Sequence, residues 1–386
     1  MTPNLRFQEF QDDFNSDKLG QLITSFSGGT PSASNKAYYD GDIPFIKSGE
    51  INDAKTEQFI NEIALANSSA KIVNKGDLLL ALYGATSGEI AISKLEGAIN
   101  QAVLCIRSER LNLEYLKFWF ELNKEKILGK YLQGGQGNLS ASIVKSLIIR
   151  YPSLDEQLKT AVTLKSVDQK INLLTKKKEA LETYKKGLMQ KIFSQEFSNQ
   201  RLMLLSQICK IYDGTHQTPK YVDEGVPFYS VEHVSKDDFS KTKFITEEVF
   251  TKECKRVSIE QGDILMTRIG SVGVPKFIDW DVRASFYVSL ALLKPKIEEI
   301  NMEWLSYYIQ SLDIQRDIWR LTIHVAFPKK INLGDIGKIK IKLPSKAVQE
   351  SNYVLLKSLD QNINLTIKKI KASEELKKGL LQQMFV

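Results

Sequence analysis

Two stretches of the chain carry apolar residues at the heptad spacing of long, paired helices. The first covers residues 151–193 and the second covers residues 343–385. Apolar positions that alternate three and four residues apart form one stripe along a helix, and a stripe kept over several heptads predicts a two-helix seam. Roughly 40 helical residues at about 1.5 Å each would form a rod about 60 Å long. The predicted seam positions are Leu164, Val167, Ile171, Leu174, Leu181, Leu188, Leu356, Leu359, Ile363, Ile370 and Leu380.

The two helical stretches are copies of one another. They match at a constant offset of 192 residues, which aligns Pro152 with Pro344 and Asp168 with Asp360. Three shorter matches extend the repeat: IPFIKSGEI (43–51) with VPFYSVEHV (226–234), GDLLLALYGATSG (76–88) with GDILMTRIGSVG (262–273), and NLEYLKFWF (112–120) with NMEWLSYYI (301–309). We therefore predict a dimer fused into one polypeptide, a pseudo-twofold internal repeat in which the two helices run antiparallel.

Each half begins with a globular module of mixed pattern. Short apolar runs bounded by Gly, Asp and Asn predict strands, and residues 113–132 have apolar residues at helical spacing. The predicted fold class is α+β: two similar mixed α/β globular domains joined by two long helices that form an antiparallel coiled coil. The predicted bounds are 1–152 for the first domain, 153–197 for the first helix, 198–344 for the second domain and 345–386 for the second helix.

Composition narrows the class of protein without selecting a partner. The 386 residues include 53 Lys and Arg against 46 Asp and Glu, a net charge of +7 that permits a polyanionic partner. The three cysteines and three histidines are far apart, so zinc spacing and a disulfide framework are not indicated. No apolar run is long enough to span a bilayer or serve as a signal peptide. We expect a cytoplasmic protein without a membrane partner.

A search for catalytic motifs finds none. The sequence contains no GxxxxGK[ST] phosphate loop, no GxSxG elbow, no HExxH pair and no Pro-Pro dipeptide of the kind found in an amino-methyltransferase site. We therefore expect no catalytic residues, no bound metal and no cofactor on this chain. Two alternatives stay open at this point: a DNA methyltransferase or nuclease that acts alone, and a coiled-coil scaffold with no role in DNA binding.

Polar loops at equivalent places in the two modules differ in their residues, while the surrounding segments match. Arg and Lys can bond guanine edges, Asn and Gln adenine edges, and Ser or Thr either, so such loops suit base reading. Two readers of different sequences built on one scaffold would have this pattern. The candidate DNA-binding residues are Thr30, Lys47, Ser48, Tyr83, Ala85, Thr86, Ser87, Gln133, Gln136, Asn138, Ser140, Thr215, His216, Gln217, Thr218, Tyr229, Arg268, Ser271, His324, Lys329 and Lys330.

The whole chain resembles the specificity (S) subunit of type I restriction–modification enzymes. The resemblance rests on LGQLITSFSGGTP with GDIPFIKSGEI, on the KGDLLLALYGATSG turn, and on the DEQ, LKSVDQKI and KKGLMQKIF segments of the first helix. It implies two target-recognition domains, each reading one half of a bipartite, asymmetric site in double-stranded DNA. It also implies that the helices set the spacing of the half-sites and dock two methyltransferase (M) subunits, and that restriction (R) subunits join the complex. S-adenosylmethionine and ATP are then expected on those partner subunits.

Overall fold

The computed structural model describes residues 3–131, 138–195 and 200–385. The chain divides into two compact units, and neither is a continuous stretch of sequence. Unit 1 contains residues 1–176 together with 367–386, and unit 2 contains residues 177–366. Each unit therefore holds one globular module, the first part of the helix that follows it, and the last part of the other long helix.

The module of unit 1 is a set of short strands with a helix packed against them. Its strands are β1 (Asn15–Lys18), β2 (Thr24–Ser27), β3 (Ile43–Ile46), β4 (Phe59–Ile60), β5 (Lys71–Val73), β6 (Leu78–Ala81), β7 (Ile90–Ile92), β8 (Gly97–Ile99), β9 (Val103–Arg107) and β10 (Ile148–Tyr151). Its helices are α1 (Glu62–Ala66), α2 (Leu113–Tyr131) and α3 (Ala141–Ser146), with 3-10 turns at Leu19–Gln21, Lys36–Tyr39 and Gly84–Thr86. The long helix α4 (Leu154–Ser194) follows.

These strands form two four-stranded sheets and one two-stranded ribbon. The strand orders are β2-β9-β6-β7, β4-β3-β8-β5 and β1-β10. Strand β6 is apolar on both faces because each face covers a different core: Leu78 and Leu80 pack with α2, whereas Leu79 and Ala81 pack toward the second sheet. Such two-sided burial explains why the GDLLLAL run lacks the alternation of a surface strand.

The module of unit 2 repeats this plan. Its strands are β11 (Arg201–Leu204), β12 (Cys209–Asp213), β13 (Val226–Tyr229), β14 (Lys243–Ile245), β15 (Ile264–Thr267), β16 (Pro275–Phe277), β17 (Ser285–Phe286), β18 (Leu290–Pro295) and β19 (Lys340–Leu343). Its helices are α5 (Leu205–Ile208), α6 (Val231–Lys236), α7 (Glu247–Cys254), α8 (Met302–Ile309), α9 (Leu312–Leu321) and α10 (Leu333–Gly337), followed by the long helix α11 (Lys346–Met384).

The sheets of unit 2 correspond to those of unit 1. Order β12-β18-β15-β16 matches β2-β9-β6-β7, β14-β13-β17 matches β4-β3-β8, and β11-β19 matches β1-β10. In each module one strand pair is parallel, β3 with β8 and β13 with β17. The internal repeat inferred from sequence is therefore present in the topology, and the α+β class is confirmed.

Each long helix has a buried glutamine in its first turn, and the two glutamines make matching hydrogen bonds. In unit 1 the amide of Gln157 donates to the carbonyl of Pro152 at 2.9 Å and its oxygen accepts from the backbone N–H of Asn112 at 2.9 Å. In unit 2 Gln349 donates to the Pro344 carbonyl at 3.0 Å and accepts from the N–H of Asn301 at 2.8 Å. Each glutamine thus fixes the start of a long helix to the start of the module's own helix.

Within each unit the paired parts of α4 and α11 run antiparallel. In unit 1 Leu164 packs with Leu381 and Met384, so the sequence number rises along one helix as it falls along the other. In unit 2 Leu188 near the end of α4 packs in the same core as Leu356 near the start of α11. Every predicted seam residue is buried or half-buried.

The long helices begin at Leu154 and Lys346 and end at Ser194 and Met384. Each compact unit takes in a part of both long helices. The far end of α11 completes the core of unit 1, where the ring of Phe385 stacks on Tyr115 with centroids 4.7 Å apart. The end of α4 does the same in unit 2, where Phe193 lies 5.1 Å from Tyr308.

Candidate nucleic-acid interface

The candidate loops are organised around the turn that follows the central strand of each module. In unit 1 this turn contains Gly84 with φ of 75°, and in unit 2 it contains Gly270 with φ of 82°. A Cβ at either position would meet nothing within 4 Å. The glycines are therefore needed for the left-handed backbone conformation and not for space.

The residue before this turn is bonded through its backbone in the same way in both modules. In unit 1 the N–H of Leu82 donates to Ala102 at 2.8 Å, and its carbonyl accepts from Leu139 at 3.0 Å. In unit 2 the N–H of Arg268 donates to Ser289 at 2.9 Å, and its carbonyl accepts from the N–H of residue 331 at 3.0 Å. One backbone frame thus carries a leucine in one module and an arginine in the other.

The side chain of Arg268 is buried beneath the loops of unit 2. Its Nε donates to the carbonyl of Ile331 at 3.3 Å, and its Nη1 lies 3.7 Å from Oδ2 of Asp213. Nη1 makes no hydrogen bond to any described residue. Burial lowers the pKa of Arg268, and the Asp213 carboxylate partly offsets that effect. Because this ionic contact is long, the position of the buried guanidinium depends on the packing of the residues around it.

Asp213 connects this buried arginine to the surface. It lies 2.6 Å from Nε2 of His216 and accepts a bond of 2.9 Å from Nη1 of Arg256. Burial opposes ionisation of Asp213, but the bonds from His216 and Arg256 outweigh it and hold the pKa of the carboxyl below its usual value. The carboxylate thereby joins the 213–221 loop to a residue that follows α7.

Four candidate loops of unit 2 converge on this network. The 213–221 loop enters through Asp213, and the turn after β15 enters through Arg268. The 322–332 loop is held by the Gly270 N–H, which donates to the Lys329 carbonyl at 2.8 Å. The loop after β13 joins through Ser289, whose hydroxyl accepts from the N–H of Val231 at 3.2 Å.

Most candidate residues of unit 2 are accessible. His216, Gln217, Thr218, Ser271, His324, Lys329 and Lys330 are exposed, and Thr215 is half-buried. Two candidates are corrected by their burial: Tyr229 packs in a hydrophobic core, and Arg268 lies in the network just described. A side chain that faces the interior does not reach a base edge, so we assign these two to supporting the loops.

In unit 1 the candidate loops also lie close to one another. Thr30 donates to Oε1 of Gln101 at 2.7 Å, which links the 28–39 loop to the segment that receives the Leu82 N–H. Lys47 and Ser48 follow the end of β3, whose parallel neighbour β8 ends beside it. Because parallel strands end at the same sheet edge, these two residues lie near that segment.

Exposure separates the remaining candidates of unit 1. Thr30, Ala85 and Asn138 are exposed, whereas Lys47, Ser48, Tyr83, Thr86 and Ser140 are half-buried. The hydroxyl of Ser140 caps α3 by accepting from the N–H of Ile143 at 3.2 Å. Ser87 is buried and donates to the Leu82 carbonyl at 3.1 Å, so it too is corrected to a supporting position. Gln133 and Gln136 lie outside the described residues.

Sequence reasoning missed four residues of unit 2 that belong to this surface. Asp213 stands in the DGTHQ segment, and an acidic residue next to a glycine gave no sign of binding two cationic partners. Arg256 is 43 residues away in sequence, so only the fold brings it to Asp213. Val325 and Phe327 were passed over because they form no hydrogen bonds through their side chains, yet both are exposed.

Within residues 3–131, 138–195 and 200–385, no three His, Cys, Asp or Glu side chains are grouped as a metal site would require. None of the helices in those ranges has both the length and the apolarity that crossing a membrane demands.

Known proteins match this chain along nearly its whole length. Residues 11–183 and 202–377 each match the model of the type I restriction modification DNA specificity domain. The type I restriction enzyme MjaVIII specificity subunit of Methanocaldococcus jannaschii is 23% identical over 96% of this chain and 91% of its own length. A putative type I restriction enzyme MjaX specificity subunit of the same organism is 24% identical, with 95% and 87% covered.

A solved structure has the same fold. The S subunit of a type I restriction–modification system from M. genitalium superposes with a TM-score of 0.67 at 17% sequence identity, covering 100% of this chain and 99% of that one. At this identity the likeness concerns the fold, and it extends over both modules and both long helices.

Proposed function

Because the chain belongs to the family of type I restriction–modification DNA specificity proteins, we propose that its two modules read the two halves of one bipartite, asymmetric site in double-stranded DNA. This proposal rests on one observation: equivalent positions in the two modules make the same backbone hydrogen bonds but carry different side chains. Leu82 and Arg268 make the same backbone bonds, yet only Arg268 brings a charged network beneath its loops. Modules that share a frame and differ in their loops are suited to reading different sequences.

The two long helices set the distance between the half-sites. Each is long, α4 with 41 residues and α11 with 39, and regular helix resists changes in length. Linking two modules in one chain makes the second DNA contact effectively intramolecular, which raises affinity without a new contact. The net charge of +7 is modest for a DNA-binding protein of this size, so partner subunits contribute to affinity.

The same helices dock the methyltransferase subunits. Each carries exposed apolar side chains 11 residues apart, a spacing that returns to one face of a helix. In unit 1 these are Val162 and Leu173, and in unit 2 they are Val354 and Leu365. The second pair stands 192 residues after the first, so the repeat preserves it. Apolar stripes left in solvent suit a helical partner, and two equivalent stripes suit two copies of it.

This chain determines which DNA sequence is bound and how far apart its half-sites lie, and its partner subunits catalyse the reactions. The methyltransferase subunits bind S-adenosylmethionine and modify adenine, and the restriction subunits use ATP. This chain then has no catalytic residue of its own.

The test is to express the chain with its methyltransferase partners and to map methylated adenines along the DNA of the host. We expect one bipartite motif with a fixed gap. Exchange of residues 201–342 for the equivalent module of another specificity subunit should change one half-site and leave the other as it was. A chimera that methylates the parental motif, or one that changes both half-sites, would contradict the assignment of one module to each half-site.

A further inference from the structure

The 322–332 loop of unit 2 carries an apolar tip that contributes nothing to the core. Val325 is 97% exposed and Phe327 is fully exposed. Neither belongs to any hydrophobic cluster formed by the described residues. A fully exposed phenylalanine beside an equally exposed valine is unusual for a folded surface and points to a binding role.

The base of this loop is firmly held, so the tip projects from a fixed support. The N–H of Ile323 donates to the Lys330 carbonyl at 2.7 Å, and Lys330 also bridges to Ile269. Thr322 is buried and donates to the Ile318 carbonyl at 2.7 Å, and Ile331 is fully buried. Between these anchors, residues 324–329 form the segment that we call the wedge loop.

The charge around the wedge loop indicates a polyanion as its partner. Residues 317–335 contain Arg320, Lys329 and Lys330 together with Asp317 and Asp335. Arg320 pairs with Asp317 at 3.2 Å and Asp335 pairs with Lys338 at 2.8 Å, so the positive charge next to the tip is that of Lys329 and Lys330. Lys329 and Lys330 are exposed, and neither forms an ion pair within the described part of the chain. An apolar tip flanked by unpaired lysines combines phosphate contacts with a side chain that can enter the base stack.

The wedge loop is also continuous with the candidate interface. The Lys329 carbonyl accepts from the N–H of Gly270, in the turn next to the buried Arg268. The ring of His324 lies 4.6 Å from that of Trp319, and its Nε2 is 2.8 Å from the Trp319 carbonyl, so an exposed aromatic pair stands beside the tip. DNA bound to the candidate loops would therefore meet Val325 and Phe327.

We propose that Val325 and Phe327 act as an apolar wedge that enters between base pairs of double-stranded DNA when unit 2 binds its half-site. The inference rests on the proposed function and adds a contact that reads how easily a base step opens. Apolar side chains that part a base step favour sequences that unstack easily, so the wedge adds specificity without a hydrogen bond.

The test uses the complete complex of this chain with its methyltransferase subunits, and a duplex that carries the mapped motif. Phe327→Ala and Phe327→Trp are compared with the wild type, and Leu202→Ala is the matched control because Leu202 is an exposed apolar residue of the same unit, outside the candidate loops. Dissociation constants are measured over a range of salt concentrations. Permanganate oxidation of the thymines that the half-site and its flanks contain, on either strand of the unchanged motif, reports unstacked steps.

We expect one reactive step in the wild-type complex, lost in Phe327→Ala and kept in Phe327→Trp and Leu202→Ala. Phe327→Ala should bind roughly 10- to 100-fold more weakly, which is the scale of removing one aromatic stacking contact, with an unchanged salt dependence because no charge is removed.

Three results would overturn the wedge while leaving the proposed function intact. They are Phe327→Ala with wild-type affinity, specific binding with no reactive step in the wild type, and loss of subunit assembly in Phe327→Ala, which would make the tip a protein-binding surface. Absence of sequence-specific binding by the wild-type complex would overturn the proposed function and the wedge together.

Discussion

Nζ of Lys377 lies 2.8 Å from Oδ1 of Asp168, and the equivalent lysine and aspartate of the repeat, Lys185 and Asp360, are 2.6 Å apart. Each lysine also lies over an aromatic ring of its unit, Lys377 over Phe118 at 5.3 Å and Lys185 over Tyr307 at 5.2 Å. The repeat thus places one cation against an acid and a ring in each unit. In both cases the lysine comes from the end of one long helix and the aspartate from the other.

We predict that Lys377→Met destabilises unit 1 by about 1–3 kcal/mol, because the partly buried Asp168 loses the nearer of its two lysine partners and keeps only Lys117 at 3.4 Å. Lys377 also bonds Glu121 at 2.8 Å, so two acids are affected. Urea unfolding followed by tryptophan fluorescence measures the change. Lys368→Met, which removes an exposed lysine from the same helix, should leave stability within about 0.5 kcal/mol of the wild type. Equal effects of the two variants would argue against a role for the ion pair.

Gln157→Ala and Gln349→Ala should each lower the free energy of unfolding by about 1–3 kcal/mol, since each removes the partner of a part-buried N–H and of a buried carbonyl. The effect should be at least as large in unit 2, because two of the bonds are equivalent and Gln349 also donates to the Glu299 carbonyl at 3.0 Å. Thermal denaturation of each variant provides the measurement. Gln169→Ala and Gln361→Ala, which truncate exposed glutamines of the same helices, serve as controls. A substantial loss in a control would point to helix propensity as the cause.

Arg268→Leu should keep the fold and alter recognition by unit 2. Leucine occupies the equivalent position in unit 1, so the frame accepts it. Asp213 loses one cation and retains His216 and Arg256, which leaves its loop less firmly held. We expect relaxed discrimination in the half-site read by unit 2 and unchanged discrimination in the other. Methylation assays on single-base variants of the motif test this, and a uniform loss over both half-sites would count against it.

Stability of unit 2 should decrease in acid partly because of Asp213. Its pKa is lowered from 3.8 in the folded state, so its contribution is present above pH 3.8 and is lost as the pH falls through the lower folded value. Asp213→Asn should therefore flatten the dependence of the unfolding midpoint on pH below about 4. Asp223→Asn, which changes an exposed acid of the same loop region, is the control. A slope identical to that of the wild type in Asp213→Asn would show that other carboxyls dominate.

Leu173→Glu and Leu365→Glu should weaken binding of the methyltransferase subunits at least about tenfold, because each places a charge in an apolar contact. The two side chains are 68% and 50% exposed, so folding stability should change by less than about 1 kcal/mol. Asn172→Glu and Asn364→Glu add the same charge to neighbouring exposed positions. Titration calorimetry with the isolated partner measures affinity. Weakening by the asparagine variants to the same degree would indicate a general effect of charge.

Much of the fold could be predicted because its elements are long or repeated. The heptads of α4 and α11 predict both helices, and the matched strand segments predict two modules of one topology. The division into units could not be predicted, because heptads show that a helix has a partner and do not show which module its end completes. The packing of Phe385 against Tyr115 depends on contacts between residues 270 positions apart.

The candidate site was predicted less completely, for a physical reason. Residue type indicates what a side chain can bond, whereas burial decides whether it meets DNA at all. Arg268 has the chemistry of a guanine reader, but it faces Asp213 in the interior. Phe327 has no hydrogen-bonding group, and its complete exposure was visible only in the folded chain.

The split composition of unit 1 has a consequence during protein synthesis. Leu381, Met384 and Phe385 belong to the same core as Leu19 and Leu164. The core of the module that is synthesised first is therefore completed last. Until residues near 385 emerge, the apolar side chains that they cover in the finished unit have no such cover. A chain that stops before these residues therefore lacks part of the first module's core, although every residue of that module is present.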